Sequence, residues 1–117
     1  MSNFIYHICR LDEWSVAQVS GSYEGSSQDV EDGFIHFSTA AQVRASAAKH
    51  RTGQTGLVLL SVDPDVLGGA LRWERSRRGQ LFPHLYRSLQ VSEVVRADPI
   101  DLNYMGDHVF PAHIPET

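Results

Sequence analysis

Runs of apolar residues along the chain predict six short strands. They cover residues 3–9, 33–39, 57–62, 70–74, 81–86 and 91–98. The first run has apolar side chains on both faces and the third is the most apolar of the chain, so both are expected at the buried centre of a sheet. Pro83 interrupts the fifth run, which favours an edge strand, and Pro99 is expected to end the sixth.

Two helices are predicted between these strands. The first covers residues 11–20, with Trp14 as its expected anchor in the core. The second covers residues 40–51 and begins after Thr39, because Thr39 and Gln42 have the spacing of a capping box. This capping role gives Thr39 a structural explanation that needs no functional site.

The segment between the first helix and the second strand is polar. Residues 21–32 contain one large ring, Tyr23, and predict a loop that is long for so small a domain. Such a loop is either a flexible connection or a binding loop or lid. Both predicted helices lie in the first half of the chain, and the predicted elements after residue 56 are strands. This order of elements favours an α+β fold over a doubly wound parallel sheet.

The length of 117 residues suits a single domain over 1–117, with a core at about 3–98 and a C-terminal tail over 99–117. Hydrophobic residues make up 42% of the chain and charged residues 21%, a composition typical of globular proteins that argues against a disordered one. A single cysteine, Cys9, excludes an internal disulfide. Since no apolar run is long enough for a signal peptide or a membrane span, we expect a cytoplasmic protein without membrane contact.

The net charge of −4 argues against a long nucleic acid as partner, but the charge is unevenly placed. Acidic residues dominate the first 35 positions, whereas residues 72–87 carry a cluster of arginines. These are Arg72, Arg75, Arg77, Arg78 and Arg87. A local arginine cluster on an acidic protein suits a small phosphate-bearing ligand. A solvated loop that aids solubility is the alternative.

Three histidines lie on predicted strands beside aromatic residues. They are His7, His36 and His84. Phe34, His36 and Ser38 share one face of the second strand, and Tyr86 follows His84 at a spacing that points both side chains the same way. Histidine supplies a donor, an acceptor or a proton near neutral pH. If these side chains converge in one cleft, they form a candidate site.

Several other interpretations of these residues stay open. Glu74 ends a predicted strand, where a carboxylate can take a proton or stabilise a developing cation. His7 is alternatively a core histidine that is hydrogen-bonded to a carbonyl. A metal site on the three histidines is a further alternative, although no His-x-His or His-x-x-x-His spacing supports it. Ser38 is disfavoured as a nucleophile because the Gly-x-Ser-x-Gly elbow is absent.

Blocks of sequence along most of the chain resemble the bacterial family called domain of unknown function 952. The blocks are Tyr6-His7-Ile8, Trp14, Gly33-Phe34-Ile35-His36-Phe37-Ser38-Thr39, Gln42, Val62-Asp63, Trp73-Glu74 and Phe82-Pro83-His84-Leu85-Tyr86. The resemblance covers residues 3 to about 98. That family is similar at fold level to ADP-ribosyltransferases and RNA 2′-phosphotransferases. The resemblance therefore implies a split, mainly antiparallel sheet, here with two helices, around a cleft for NAD or an ADP-ribosylated intermediate.

In those enzymes an early strand supplies a histidine or arginine, and the resemblance places His7 at this position. His36 corresponds to the motif on a second strand, with Ser38 and Thr39 beside it. Either Glu74 or His84 corresponds to the polar group of a later strand, and the sequence does not choose between them. The arginine loop offers contacts to a pyrophosphate, and the aromatic rings near the histidines can stack on nicotinamide or adenine.

The resulting hypothesis is a protein whose histidine-lined cleft binds NAD, ADP-ribose or a related nucleotide and acts as a transferase. The candidate catalytic residues are His7, His36, Glu74 and His84. The candidate ligand-binding residues are Phe34, Ser38, Thr39, Arg75, Arg77 and Tyr86. Two alternatives remain. One is a non-catalytic module that binds a nucleotide or another small ligand, and the other is a metal-dependent enzyme that uses the three histidines.

Overall fold

The structure, a computed structural model, describes residues 3–76 and 78–115. Within them the chain forms nine strands and three α-helices. The strands are β1 (Ile5–Arg10), β2 (Ser22–Tyr23), β3 (Ile35–His36), β4 (Ser38–Thr39), β5 (Leu57–Val62), β6 (Leu71–Arg75), β7 (Leu81–Leu85), β8 (Leu89–Gln90) and β9 (Val94–Ile100). The helices are α1 (Leu11–Ser20), α2 (Ser27–Asp32) and α3 (Ala40–His50). Two 3-10 segments, Pro64–Ala70 and Val91–Glu93, precede β6 and β9.

The strands pair in three separate sheets. The large sheet has the order β4-β1-β5-β9, the small sheet has the order β3-β7-β6, and β2 pairs with β8 in a two-stranded ribbon. Every pairing among the described strands is antiparallel. The predicted α+β class with a mainly antiparallel sheet is therefore confirmed.

The large sheet is packed on both faces, as the alternation in β1 predicts. One apolar cluster contains Ile5, Cys9, Trp14, Val58 and Leu60 among others. The opposite cluster contains Tyr6, Val43, Leu57, Leu59, Ile100 and Ile114. All six residues of β5 are buried. Each such leucine or valine contributes about 1.5–3 kcal/mol of burial free energy, so these two clusters stabilise the sheet that positions the site.

The chain after β9 packs against the second cluster. Ile114 is buried there. Arg44 of α3 donates hydrogen bonds to the backbone oxygens of Pro115 and Ile114 at 2.9 and 3.0 Å. None of the helices in the described part of the chain is long and apolar enough to cross a membrane.

The prediction of a polar loop over residues 21–32 is wrong, because the segment contains β2 and α2. Ser26 is the N-cap of α2, and its Oγ accepts the backbone N–H of Asp29 at 3.3 Å. The Asp29 carboxylate in turn accepts the backbone N–H of Ser26 at 2.7 Å. This reciprocal cap stabilises a short helix that has no apolar stripe. It also makes three α-helices where two were predicted.

The predicted strand over residues 33–39 is broken into β3 and β4, which belong to different sheets. The chain crosses between the sheets at Phe37, whose backbone N–H donates to the Pro83 carbonyl at 3.0 Å. The Phe37 ring is buried in the first apolar cluster. The small and large sheets therefore meet at this residue.

Both strand prolines lie differently from expectation. Pro83 is in β7, the central strand of the small sheet and not an edge. The nitrogen and carbonyl of a strand residue point to the same side, and the Pro83 carbonyl accepts the N–H of Phe37 just beyond β3. Its nitrogen therefore faces the end of a two-residue strand, where little pairing is lost. Pro99 lies within β9, an edge strand where proline is tolerated, so the strand runs on to Ile100.

Candidate functional site

Three histidines meet where the small and large sheets join. His36 of β3 and His84 of β7 are directly paired across the small sheet, so their side chains lie on the same face. Their ring centroids are 5.4 Å apart. His7 of β1 lies next to them, with Nδ1 2.5 Å from the backbone oxygen of His36. The structure thus brings the three predicted histidines together.

A buried carboxylate, Asp29 of α2, connects these elements. Its Oδ1 accepts the backbone N–H of His36 at 3.1 Å and lies 2.6 Å from the His36 Nδ1. Its Oδ2 accepts the backbone N–H and the hydroxyl of Ser26 at 2.7 and 3.0 Å. Burial raises the pKa of Asp29, but the hydrogen bonds from His36 and Ser26 and the nearby His7 outweigh it, so the pKa is lowered overall. Asp29 is therefore an ionised carboxylate inside the protein.

His7 is held in one orientation by two hydrogen bonds. Because a carbonyl can only accept, the Nδ1–H of His7 donates to the His36 oxygen. The Nε2 then accepts the hydroxyl of Tyr23 at 2.7 Å. Burial lowers the pKa of His7, against the opposing effect of Asp29. This bonding is the one that the core-histidine alternative describes, although the ring also borders the cleft defined below.

His36 faces carboxylates with both of its ring nitrogens. The Nδ1 contacts Asp29, and the Nε2 lies 3.2 Å from Oδ2 of Asp32 at the end of α2. Only a ring that is protonated on both nitrogens can donate to both carboxylates. The side chain of His36 is 40% exposed, whereas that of Asp29 behind it is 3% exposed. His36 therefore presents its Nε2 side to the surface.

His84 belongs to a second carboxylate pair. Its Nδ1 lies 2.8 Å from Oε1 of Glu74, and the same oxygen accepts the Tyr86 hydroxyl at 2.6 Å. The hydrogen bonds from Tyr86 and then from His84 lower the pKa of Glu74. The predicted common orientation of His84 and Tyr86 is confirmed. Glu74 and His84, between which the sequence did not choose, form one hydrogen-bonded unit.

The ring of Phe34 contacts the histidine of each histidine–carboxylate pair, His36 beside Asp29 and His84 beside Glu74. Its ring stacks on His84 at a centroid distance of 4.2 Å and an angle of 28°. It also contacts the rings of His36 at 4.5 Å and Tyr86 at 5.2 Å. The aromatic neighbours that the sequence placed beside the histidines therefore fix the spacing of their rings.

The three histidines border an open cleft with a volume of about 1470 Å³, which we call the histidine cleft. Cationic side chains also line it. They are Arg10, Lys49, Arg51 and Arg78. His50 lies among them, and burial and then the charge of Lys49 lower its pKa. His50 is the last residue of α3, so this end of the helix forms part of the cleft wall.

The two hydroxyl residues of the predicted motif, Ser38 and Thr39, lie on β4 in the large sheet, whereas His36 lies on β3 in the small sheet. Ser38 borders the histidine cleft, and its Oγ donates to the Oγ of Ser46 in α3 at 3.1 Å. The predicted common face of His36 and Ser38 is not continuous, because the chain changes sheets between them. Thr39 caps α3, and its backbone N–H donates to Oε1 of Gln42 at 3.0 Å, as the capping box predicts.

The arginines of the loop between β6 and β7, which the sequence analysis predicted to contact a ligand, differ in their positions relative to the cleft. Arg75 donates to the Gly79 carbonyl at 2.9 Å and is not part of the cleft wall. Arg77 lies outside the described residues. Arg78 borders the cleft, and neither Arg78 nor Lys49 makes a hydrogen bond or ion pair with another described residue. Among the described arginines of this loop, Arg78 is therefore the one on the cleft wall.

Sequence reasoning did not single out Asp29, Asp32 or Tyr23 as parts of the site. All three lie in the segment predicted as a polar loop. The available signal was the spacing of Ser26 and Asp29, which fits a capping box with aspartate in place of glutamate. That spacing predicts a helix, but it does not predict that the capping carboxylate also binds His36.

The metal alternative gains no support from the described geometry. No group of three or more histidine, cysteine, aspartate or glutamate side chains in residues 3–76 and 78–115 is arranged to hold a metal ion. Both ring nitrogens of His7 are already hydrogen-bonded within the protein.

Comparison with known proteins places the chain in a family. The family described as "Protein of unknown function (DUF952)" matches residues 8–97. The chain belongs to the DUF952 family. Protein CC0527 from Caulobacter crescentus is similar: its crystal structure aligns with a TM-score of 0.90 at 47% identity, covering 95% of this chain and 97% of that one. Its solution NMR structure aligns with a TM-score of 0.81 at 49% identity, covering 89% and 90%.

None of the curated proteins matches the chain. The description of the DUF952 family names no activity, so the function is argued from the site. The resemblance to this family, which was inferred from blocks of the sequence, is therefore confirmed.

Proposed function

We propose that the histidine cleft binds a nucleotide of the NAD or ADP-ribose class and that the protein is a group-transfer enzyme acting on it. One observation carries this proposal. His36 and His84 lie side by side, and each is oriented through Nδ1 by a carboxylate, at 2.6 Å from Asp29 and 2.8 Å from Glu74. A carboxylate that fixes the tautomer and direction of a histidine is the arrangement that general acid–base catalysis uses.

Three further features support a phosphate-bearing ligand. The histidine cleft is open and large enough for a dinucleotide. Lys49 and Arg78 border it with charges that no described side chain neutralises. The division into separate antiparallel sheets, with the histidines at their join, agrees with the cleft that the similarity to ADP-ribosyltransferases implies. Within this proposal His7 holds the backbone of His36 in place by donating a hydrogen bond to its carbonyl oxygen. His36 and His84 face the ligand.

A non-catalytic binding module is the second candidate. The observation in its favour is that His7 and His36 have protein partners on both ring nitrogens. A site whose polar groups are already satisfied can bind a ligand by shape and charge without transferring a proton. Turnover distinguishes the two candidates, because only the enzyme alters the bound nucleotide.

Titration of the protein with ADP-ribose and NAD, followed by NMR of the histidine ring nitrogens, tests binding. We expect saturable shifts at His36 and His84 at millimolar ligand or below. The variants His36→Gln and His84→Gln should weaken binding about tenfold or more, which corresponds to about 1.4 kcal/mol. His113→Gln is the matched control, because His113 lies outside the cleft wall and only approaches Asp98 at 3.6 Å. Unchanged ring signals at millimolar ADP-ribose and NAD would overturn the proposal.

A further inference from the structure

The two histidines that face the cleft differ in one respect. His36 has a carboxylate on each ring nitrogen, Asp29 at 2.6 Å and Asp32 at 3.2 Å. His84 has a carboxylate on Nδ1 alone, and no described residue hydrogen-bonds to its Nε2. The bonding of His36 favours the doubly protonated ring, which can give a proton. When the ring of His84 is neutral, the carboxylate of Glu74 holds its proton on Nδ1 and leaves the lone pair on Nε2, which can accept a proton.

We propose that His84 is the general base and His36 the general acid in the hydrolysis of a nucleoside 2′,3′-cyclic phosphate. This inference rests on one part of the proposed function, the binding of a nucleotide in the histidine cleft, and it adds a second reaction at that site. Two neighbouring histidines, one with a carboxylate on each ring nitrogen and one with an Nε2 that no described residue occupies, have the geometry of an acid–base pair.

The chemistry of the leaving group selects the phosphodiester. Nicotinamide leaves NAD as a neutral molecule, so its departure needs no proton from the protein. A ribose oxygen leaving phosphorus carries negative charge and does need one, while the attacking water must lose one. Transfer from NAD therefore uses a base, for the attacking group, whereas cleavage of the phosphodiester uses both a base and an acid. Lys49 and Arg78 on the cleft wall can neutralise the charge on the phosphoryl oxygens.

The proposed step balances without any further reactant. The Nε2 of His84 takes a proton from water as the water oxygen forms a bond to phosphorus. The bond from phosphorus to the 2′- or 3′-oxygen of ribose breaks, and that oxygen takes the proton from the Nε2 of His36. The product is a nucleoside monophosphate with one free ribose hydroxyl. Solvent then returns a proton to His36 and removes one from His84.

The Nε2 of His36 must release Asp32 to meet the leaving oxygen. Asp32 is suited to this exchange because its side chain is 35% exposed at the end of α2, whereas Asp29 stays buried and keeps Nδ1 in place. Other charged or titratable groups also act on the pair. Those around His36 are Asp29, Asp32, His7, His50 and His84. Those around His84 are Glu74, Arg72 across the strand pair, and His36.

The test is hydrolysis of 2′,3′-cyclic AMP by the full chain, measured across pH 5–9 by separation of the monophosphate products. We expect a bell-shaped profile of kcat/KM. His36→Gln and His84→Gln should each lower kcat by about 10²–10⁴-fold, in addition to the roughly tenfold rise in KM expected from weaker nucleotide binding. The two variants should remove opposite limbs, His84→Gln the acidic one and His36→Gln the alkaline one.

Controls separate this inference from loss of fold and from failure of the proposed function. Circular dichroism verifies that each variant is folded, the double variant His36→Gln/His84→Gln gives the background, and His113→Gln should behave as wild type. Absence of hydrolysis by a wild-type protein that binds ADP-ribose would overturn the inference and leave the proposed function intact. Hydrolysis with a flat pH profile, or loss through KM alone, would also overturn it. Hydrolysis that ADP-ribose does not inhibit would support the acid–base pair and contradict the ADP-ribose site.

Discussion

Asp29 binds His36 at two points, through the backbone N–H at 3.1 Å and through the ring Nδ1 at 2.6 Å. One buried carboxylate thereby fixes both the main chain and the side chain of the residue that faces the cleft. The backbone oxygen of His36 then receives the Nδ1–H of His7. The orientation of the site thus depends on hydrogen bonds that run from α2 through β3 to β1.

Asp29→Asn should destabilise the fold. The amide keeps the shape but replaces one accepting oxygen with a donor that faces N–H groups, so buried partners lose their bonds. We expect the free energy of unfolding in urea to fall by about 2–4 kcal/mol. Asp32→Asn is the control on the same helix, and its exposed side chain should change stability by no more than about 0.5 kcal/mol. Equal losses of stability in the two variants would show that the buried hydrogen bonds of Asp29 do not stabilise the fold.

The elements that carry the fold were predictable where local signals mark the ends of a helix or where a whole run of residues is apolar. The helix predicted over 11–20 has the observed bounds of α1, and β5 matches the predicted run over 57–62. The capping box at Thr39 also gave the start of α3. In these segments local preference and burial agree, so a single sequence is enough.

The site was predictable only in part. His7, His36, His84 and Glu74 were identified from their aromatic neighbours and from the family resemblance. Asp29 was not, because a carboxylate that is buried by hydrogen bonds leaves no apolar pattern in the sequence. Its partner is seven residues away, on the strand that the chain enters after the left-handed turn at Gly33.

The protein should lose stability as the pH falls from about 7, partly through His7. Burial lowers the pKa of His7 below its usual value of about 6.5, so the unfolded chain takes up this proton at a higher pH than the folded one. The contribution is full above about pH 6.5 and is lost as the pH falls below it, by up to about 1.4 kcal/mol per pH unit.

His7→Gln isolates this contribution, because an amide supplies one donor and one acceptor but does not titrate. The measurement is urea unfolding at several pH values between 7.5 and 5, chosen to bracket the usual histidine pKa of about 6.5. The variant should be less stable at pH 7.5 but should lose less stability than wild type on acidification. If both lose stability in parallel, then His7 is not a buried neutral ring.

Tyr23→Phe should destabilise the protein by about 1–3 kcal/mol, because it leaves the buried Nε2 of His7 without a donor. The ring itself and its edge contact with Trp14 at 6.5 Å are kept. Tyr86→Phe removes the same group from an exposed side chain whose hydroxyl donates to Glu74. It should cost no more than about 0.5 kcal/mol. Thermal unfolding of both variants provides the comparison. A smaller loss of stability for Tyr23→Phe than for Tyr86→Phe would contradict the assigned hydrogen bond from the Tyr23 hydroxyl to His7.

Gly25→Ala tests how closely the site depends on the position of Asp29. Gly25 has φ +99°, and an added Cβ would lie 2.7 Å from the Cβ of Asp29. Gly106 has a similar φ of +86°, with no atom within 4 Å of an added Cβ. Both alanines therefore incur the backbone strain of a left-handed residue, about 1–2 kcal/mol, but only the first displaces the carboxylate.

We expect Gly25→Ala to be the more destabilising variant by at least about 1 kcal/mol, since close overlap in a packed region costs about 1–3 kcal/mol. It should also shift the NMR signals of the His36 ring, whereas Gly106→Ala should leave them unchanged. Chemical denaturation and ring-nitrogen spectra of both variants provide the comparison. Equal losses of stability with an unshifted His36 would mean that the carboxylate accommodates the methyl group and that the histidine is held by other contacts. A shifted His36 with weakened ADP-ribose binding would connect the capping carboxylate of α2 directly to the ligand site.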